Sequence, residues 1–183
     1  MVSMPHNALI TGPPRSGKTT ALERTVSRLR TAGYSVGGLS APDRRKDGER
    51  VGFELVDIAS GDREVMADVA YTAGPRVGTY RVDVSAIDRL TRTALPAALR
   101  SADCIVIDEI APMQLESERF VRETKRALES PTPVLAAIKD GETDGGIGDV
   151  KHRTDTELFR VEPATRDALP ETLAAWVRSV TQP

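Results

Sequence analysis

Residues 8–19 read ALITGPPRSGKT, and this stretch decides the fold class. The apolar run that ends at Thr11 predicts a short buried strand, because turn-forming residues follow it directly. Apolar side chains then recur at helical spacing from Leu22 to Leu29, and Gly33 supplies a stop, which predicts a helix over about 18–32. A strand, a glycine-bearing turn and a helix in this order open an α/β domain.

The turn between strand and helix has the composition of a phosphate-binding loop. Its sequence matches the pattern G-x-x-x-x-G-K-[ST], in the strand-to-helix context that the pattern requires. The two glycines let consecutive backbone N–H groups converge on a phosphate, Lys18 adds a positive charge, and the Thr19 hydroxyl is placed to ligate Mg²⁺. The predicted nucleotide-binding residues are Gly12, Pro13, Pro14, Arg15, Ser16, Gly17, Lys18, Thr19 and Thr20.

A second informative segment is the run Cys104–Ile107, which is apolar and mostly β-branched. Such a run predicts a central parallel strand covered on both faces. Asp108 ends this strand in the manner of a Walker B carboxylate, and Glu109 follows it as a candidate general base for an attacking water. We therefore predict that Glu109 and Lys18 are catalytic and that Thr19 and Asp108 bind Mg²⁺.

The rest of the chain continues the alternation of strands and helices, so we expect about five parallel strands and an inserted β-hairpin. The helix over 85–100 contains Pro96, which we expect to kink it or to start a second short helix. The remaining predicted elements are strand 36–40, a charged loop 42–50, an extended segment 51–58 with a returning strand 64–69, helix 117–129, strand 134–138, a glycine-rich mobile loop 140–149, an edge strand 157–161 and a last helix from about 170.

Length and composition exclude several classes of protein. The chain has 183 residues, 25 basic and 27 acidic side chains and one cysteine, which indicate a single domain over 1–183 and no strong attraction to nucleic acid. No stretch resembles a membrane span or a signal peptide, so we expect no membrane association. A lone Cys104 fits a reducing compartment, and we expect a cytoplasmic protein. The oligomeric state stays open.

Three functions are compatible with these motifs. Glu109 favours hydrolysis of a nucleoside triphosphate over transfer to an acceptor, since it can activate water. The first alternative is a nucleoside or metabolite kinase in which loop 140–149 and Arg153 form a lid. The second is a nucleotide-gated binding module in which the hairpin and the basic segment 44–50 contact a partner.

Several blocks in order along the chain resemble the small P-loop nucleoside-triphosphatases of thermophilic microbes, a family whose human member is called cancer-related nucleoside-triphosphatase. The blocks are GPPRSGKTT (12–20), GERVGFELVDIASG (48–61), RVGTYRVDV (76–84), IDEIAPMQLESERF (107–120) and TRDALPETL (165–173). The resemblance implies a P-loop, RecA-like fold with a mainly parallel sheet flanked by helices. It also implies slow Mg²⁺-dependent hydrolysis of nucleoside triphosphates to diphosphate and phosphate, with little base preference.

Carried over by position, the resemblance implies that the loop at 12–19 binds the phosphates and that Cys104–Ala111 is a second nucleotide-contacting segment. It also adds Arg45 and Arg166 as candidate site residues. The chain departs from the family pattern at Ala111, Gln114 and Thr165, where the family usually has Gly, Glu and Asn. These departures lie outside the predicted phosphate and magnesium site.

Overall fold

The apolar runs of the sequence form a central sheet, and a computed structural model describes residues 4–141 and 145–182 of the chain. Its strands are β1 (Asn7–Thr11), β2 (Val36–Ser40), β3 (Asp43–Lys46), β4 (Glu49–Asp57), β5 (Arg63–Asp68), β6 (Arg76–Val77), β7 (Tyr80–Val82), β8 (Cys104–Ile110), β9 (Val134–Ile138) and β10 (Thr156–Arg160). Its helices are α1 (Lys18–Thr31), α2 (Val84–Ser101), α3 (Pro112–Leu115), α4 (Glu118–Glu129), α5 (Gly145–Lys151) and α6 (Leu169–Thr181).

Five parallel strands in the order β10-β1-β9-β8-β2 form one part of the sheet. Strand β10 lies at the edge, as predicted, and β1 and β9 are buried along their whole length. Because the five strands are parallel, the loops that follow β1 and β8 both lie at the carboxyl ends of the strands. The predicted mainly parallel α/β fold is therefore confirmed, and the fold brings the two informative segments of the sequence to one edge.

Helices cover both faces of these parallel strands. On one face α1 and α6 pack together, and their Leu22, Leu29 and Leu173 form a core with Ile10 of β1. On the other face α2 and α4 pack together around the fully buried Phe120. Burying one such side chain contributes about 1.5–3 kcal/mol. Strands β1 and β8 are therefore packed between two cores, which position the loops at their carboxyl ends.

The inserted segment is larger than predicted. Strand β4 pairs antiparallel with β2, and β3, β5, β7 and β6 extend the sheet from there. The prediction of a charged loop over 42–50 is wrong, because Asp43–Lys46 form β3 and pair with β4. Asp47 and Gly48 make the turn between them with φ of 52° and 82°, the left-handed conformations of a tight hairpin.

Three further boundaries differ from the sequence prediction. Pro96 lies inside one helix, α2, and starts no second helix. Strand β8 runs to Ile110, so Asp108 lies within the strand and not at its end. Part of the predicted loop 140–149 is helix α5, and residues 142–144 of that loop lie outside the described residues. Within the described ranges, no helix is long and apolar enough to cross a membrane.

Asp155, which precedes β10, connects side chains at the amino ends of the parallel strands. Its carboxylate accepts hydrogen bonds from Arg153 at 2.9 and 2.7 Å and from Asn7 at 3.3 Å. Burial raises the pKa of Asp155, but the hydrogen bonds and charge of Arg153 outweigh this and hold the pKa below its usual value. Arg153 thus lies at the edge opposite the phosphate loop, where it cannot serve the lid that the kinase alternative requires.

Candidate functional site

The phosphate loop joins β1 to α1 in a tight turn. The Ser16 N–H donates to the Pro13 carbonyl at 3.1 Å, and Gly17 adopts a left-handed φ of 101° immediately before the helix. A side chain at Gly12 would not fit, because its Cβ would lie 2.7 Å from Ser16 Oγ and 3.2 Å from the Val161 carbonyl oxygen. Helix α1 begins directly after this turn, so the N–H groups of its first turn border the loop, and a helix amino terminus favours an anion.

Lys18 is held at the mouth of this loop. Its ammonium donates to the Gly12 carbonyl at 2.8 Å and lies 3.5 Å from Glu109 Oε2. The lysine side chain is 11% exposed and that of Glu109 is 29% exposed, so the ion pair is partly shielded from water. The structure thus places the predicted phosphate-binding cation beside the predicted general base.

Asp108 is buried next to them, at 2% exposure, and the peptide bond that joins it to Glu109 is cis. Burial away from water, followed by the charge of Glu109, raises the pKa of Asp108 to about 7. The Thr19 hydroxyl and the Ala41 backbone lower this pKa only in part. Thr19 and Asp108, which come from α1 and β8, are therefore neighbours at the carboxyl edge of the sheet.

The donor set around Asp108 fits a magnesium ion. Among the described residues, Asp108 Oδ2 is buried and has no hydrogen-bond partner, which leaves a carboxylate oxygen available for a ligand. The neighbouring Thr19 offers a hydroxyl oxygen, and oxygen atoms are the ligands that Mg²⁺ prefers. Within residues 4–141 and 145–182, no group of three or more His, Cys, Asp or Glu side chains could hold a metal by itself. Such a site suits Mg²⁺, which usually binds one or two protein oxygens together with substrate phosphates.

The structure does not bring Arg45 to this site. Its guanidinium donates to Asp43 at 3.2 Å and to the Gly48 carbonyl at 3.1 Å, so it stays within its own hairpin. Arg44 likewise pairs with Asp68 on the neighbouring strand. This geometry does not support Arg45 as a site residue, because both partners of its guanidinium lie within the hairpin.

Arg166 does lie beside the phosphate loop. It lines a cleft of about 250 Å³ together with Arg15, Gly17, Thr20 and Arg24. A larger cleft of about 480 Å³ lies near Tyr34 and Asp103, at the amino ends of the strands, far from the phosphate loop. We take the smaller cleft as the functional one because it shares residues with the loop.

Two contributors to the site carry no clear sequence signal. Ala41 comes close to Asp108 because β2, which precedes it, pairs with β8; only the strand order reveals this. Arg24 stands on the exposed side of α1, where the helical spacing alone would assign it to solvent. Only the three-dimensional arrangement brings both residues to the site.

Comparison with known proteins agrees with the fold and the loop. The family described as NTPase matches residues 7–174. A nucleoside-triphosphatase THEP1 from Methanothermobacter thermautotrophicus is 43% identical over 159 residues, which is 87% of this chain and 88% of that protein. The crystal structure of THEP1 from Aquifex aeolicus matches with a TM-score of 0.84 and 26% identity, over 93% of this chain and 98% of the other. The solution structure of a human cancer-related nucleoside triphosphatase matches with a TM-score of 0.79 and 30% identity, over 95% and 98%.

Proposed function

The chain belongs to the NTPase family, and from this premise we propose that it hydrolyses nucleoside 5′-triphosphates to the diphosphate and inorganic phosphate with the help of Mg²⁺. The single observation that carries the proposal is the meeting of Lys18, Glu109 and the buried Asp108 at the mouth of the phosphate loop. Phosphoryl transfer depends almost entirely on positioning and on electrostatic stabilisation, and these groups supply both.

The loop and Lys18 bind the phosphates in this proposal. The backbone N–H groups of Arg15, Gly17 and the start of α1 hold the β-phosphate, while Lys18 exchanges its bond to the Gly12 carbonyl for phosphate oxygens. The cation then neutralises charge that develops on the γ-phosphoryl group as the bond breaks. Thr20 completes the set on the side of the α-phosphate.

Glu109 orients the attacking water and accepts its proton. Its carboxylate lies 3.5 Å from the Lys18 ammonium, so it is close to the position that a γ-phosphate bound by Lys18 would occupy. A general base of this kind contributes about 10²- to 10⁴-fold in rate. This role distinguishes hydrolysis from a kinase reaction, in which the acceptor supplies the nucleophile.

Thr19 and Asp108 would hold the magnesium ion. Bound there, the ion would neutralise part of the negative charge of the triphosphate. The buried Asp108 Oδ2, which has no hydrogen-bond partner among the described residues, supports this assignment. Ionised Asp108 is stabilised by a cation, so the high pKa that burial gives the carboxyl in the free protein is expected to fall on metal binding.

Release of phosphate from ATP, GTP, CTP and UTP, with and without Mg²⁺, tests the proposal. We expect release from all four only with the metal, and none from a Lys18→Ala variant. The matched control is Lys125→Ala, which removes an exposed lysine of α4. Phosphorylation of an added acceptor without phosphate release would instead identify a kinase, and metal-independent release at the same rate would contradict the role of Mg²⁺.

We also propose that the protein is a single domain and that it lies in a reducing compartment. One sheet connects the described elements, which supports a single domain over 1–183. The only cysteine, Cys104, is buried as a free thiol, and this supports a reducing location such as the cytoplasm. The hairpin alternative, a partner surface at 44–50, has no specific support, because Arg44 and Arg45 are paired within the extension.

A further inference from the structure

The cleft beside the phosphate loop is bounded by two walls. One wall is the beginning of α1, with Thr20 and Arg24, and the other is the turn before α6, with Arg166 and Asp167. Arg15, Ser16 and Gly17 of the phosphate loop also line it. The cleft therefore borders the proposed phosphate site, with which it shares these loop residues.

Unpaired guanidinium groups surround this cleft. In the described part of the chain, the side chains of Arg15, Arg24 and Arg166 make no hydrogen bond or ion pair. Arg28, on the same helix as Arg24, is by contrast paired with Glu171 at 3.1 Å. The cleft is also lined by Ser16, whose buried Oγ has no hydrogen-bond partner among the described residues. Several groups at one place are thus left available to a ligand.

The sheet order fixes which end of a nucleotide reaches the cleft. The γ-phosphate end must lie toward Glu109 and Asp108 on β8, which is two strands from β1 on one side. The turn that carries Arg166 follows β10, the neighbour of β1 on the other side. A nucleoside triphosphate held by the loop therefore extends its sugar and base away from β8 and toward the cleft.

We propose that this cleft holds the nucleoside and that Arg166 is its base-stacking residue, a role that rests on the proposed function. No aromatic side chain lines the cleft within the described residues, so a planar guanidinium is the available stacking surface. Stacking uses the face that every base has, and it accepts purines and pyrimidines alike. We assign this role to Arg166 and not to Arg24, because Arg24 lies on α1 itself whereas Arg166 lies on the opposite wall of the cleft.

Isothermal titration calorimetry with ADP, GDP, CDP and UDP, and with inorganic tripolyphosphate, tests this role without relying on turnover. Arg166→Ala should weaken binding of all four nucleotides by about 5- to 150-fold, the range expected when one stacked base loses its partner. Binding of tripolyphosphate, which has no base, should stay unchanged. Arg166→Lys should behave like Arg166→Ala, because an ammonium keeps the charge but has no plane.

Arg92→Ala is the matched control, since Arg92 is exposed on α2 and its removal changes the net charge equally. An equal loss of tripolyphosphate and nucleotide binding in Arg166→Ala, or full rescue by lysine, would overturn stacking in favour of charge. Unchanged nucleotide binding would place the base elsewhere. Failure of the proposed function would look different, because the unaltered protein would then release no phosphate from any triphosphate.

Discussion

Replacing Glu109 by glutamine separates nucleotide binding from hydrolysis. Glutamine keeps the size of the side chain but cannot accept a proton from water, so the rate of phosphate release should fall by about 10²- to 10⁴-fold. That loss corresponds to about 3–5 kcal/mol in activation free energy. Nucleotide affinity should be preserved or should rise, because Lys18 loses a carboxylate 3.5 Å from its ammonium. A partly exposed ion pair is worth about 1 kcal/mol at most, so we expect an increase of no more than about fivefold.

Single-turnover phosphate release and calorimetric binding of ATP measure the two effects separately. Glu116→Gln is the control, because it makes the same chemical change at the exposed C-cap residue of α3. Hydrolysis by the Glu109→Gln variant at the rate of the unaltered protein would refute the assignment of Glu109 as base. A large loss of ATP affinity would show instead that Glu109 helps to shape the phosphate site.

Three other changes test the fold and the metal site. Gly38→Ala would place a Cβ 1.9 Å from the Val106 carbonyl oxygen, and we expect the free energy of unfolding in urea to fall by about 3–5 kcal/mol. The control is Gly48→Ala, where φ is also positive but the space is open, and there we expect a loss of about 1–2 kcal/mol. Equal losses in the two variants would contradict the clash. Because folding lowers the pKa of Asp155, its carboxylate stabilises the protein above the unfolded pKa of about 3.9, and this stability is lost as the pH falls through the lower folded pKa. Asp155→Asn should therefore be less stable than the unaltered protein at pH 7 and similar to it near pH 2. A difference in unfolding free energy that stays constant with pH would contradict this linkage. Asp108→Asn should raise the Mg²⁺ concentration for half-maximal phosphate release by about tenfold or more, and an unchanged requirement would exclude Asp108 as a ligand.

The phosphate loop and the strand that carries Asp108 could be predicted because short-range chemistry determines both. Two glycines and a lysine at fixed spacing have few structural uses, and an apolar run such as Cys104–Ile107 has few places in a domain other than the centre of a sheet. The continuation of β8 to Ile110 was missed because Asp108 and Glu109 are poor strand formers in isolation. Asp108 and Glu109 lie in a register shift of the β8–β9 ladder, which resumes where Ile110 pairs with Ile138, and only this long-range pairing extends the strand beyond the apolar run.

Strand β3 and helix α5 could not be predicted in the same way. β3 is exposed on most of its length and therefore shows no alternation of apolar and polar residues, although the Asp47-Gly48 turn was a usable hairpin signal. Helix α5 contains three glycines, which oppose helix formation, and it is held by burial of Ile147 in the core. In both cases tertiary contacts outweigh local preference.

The pairing of the hairpin arginines bears on how the γ-phosphoryl charge is stabilised. An arginine that reaches the transferring group is worth about 10³- to 10⁵-fold in rate where enzymes have one. Arg44 pairs with Asp68, and Arg50 donates to the Tyr80 hydroxyl at 3.1 Å and lies over the Phe53 ring. Both arginines therefore have their partners within the antiparallel strands β3 to β7. In the arrangement described, Lys18 is thus the cation that stands beside Glu109. In the proposed hydrolysis, charge on the γ-phosphoryl group would therefore be stabilised by Lys18, and Arg44 and Arg50 would not contribute while they keep these partners.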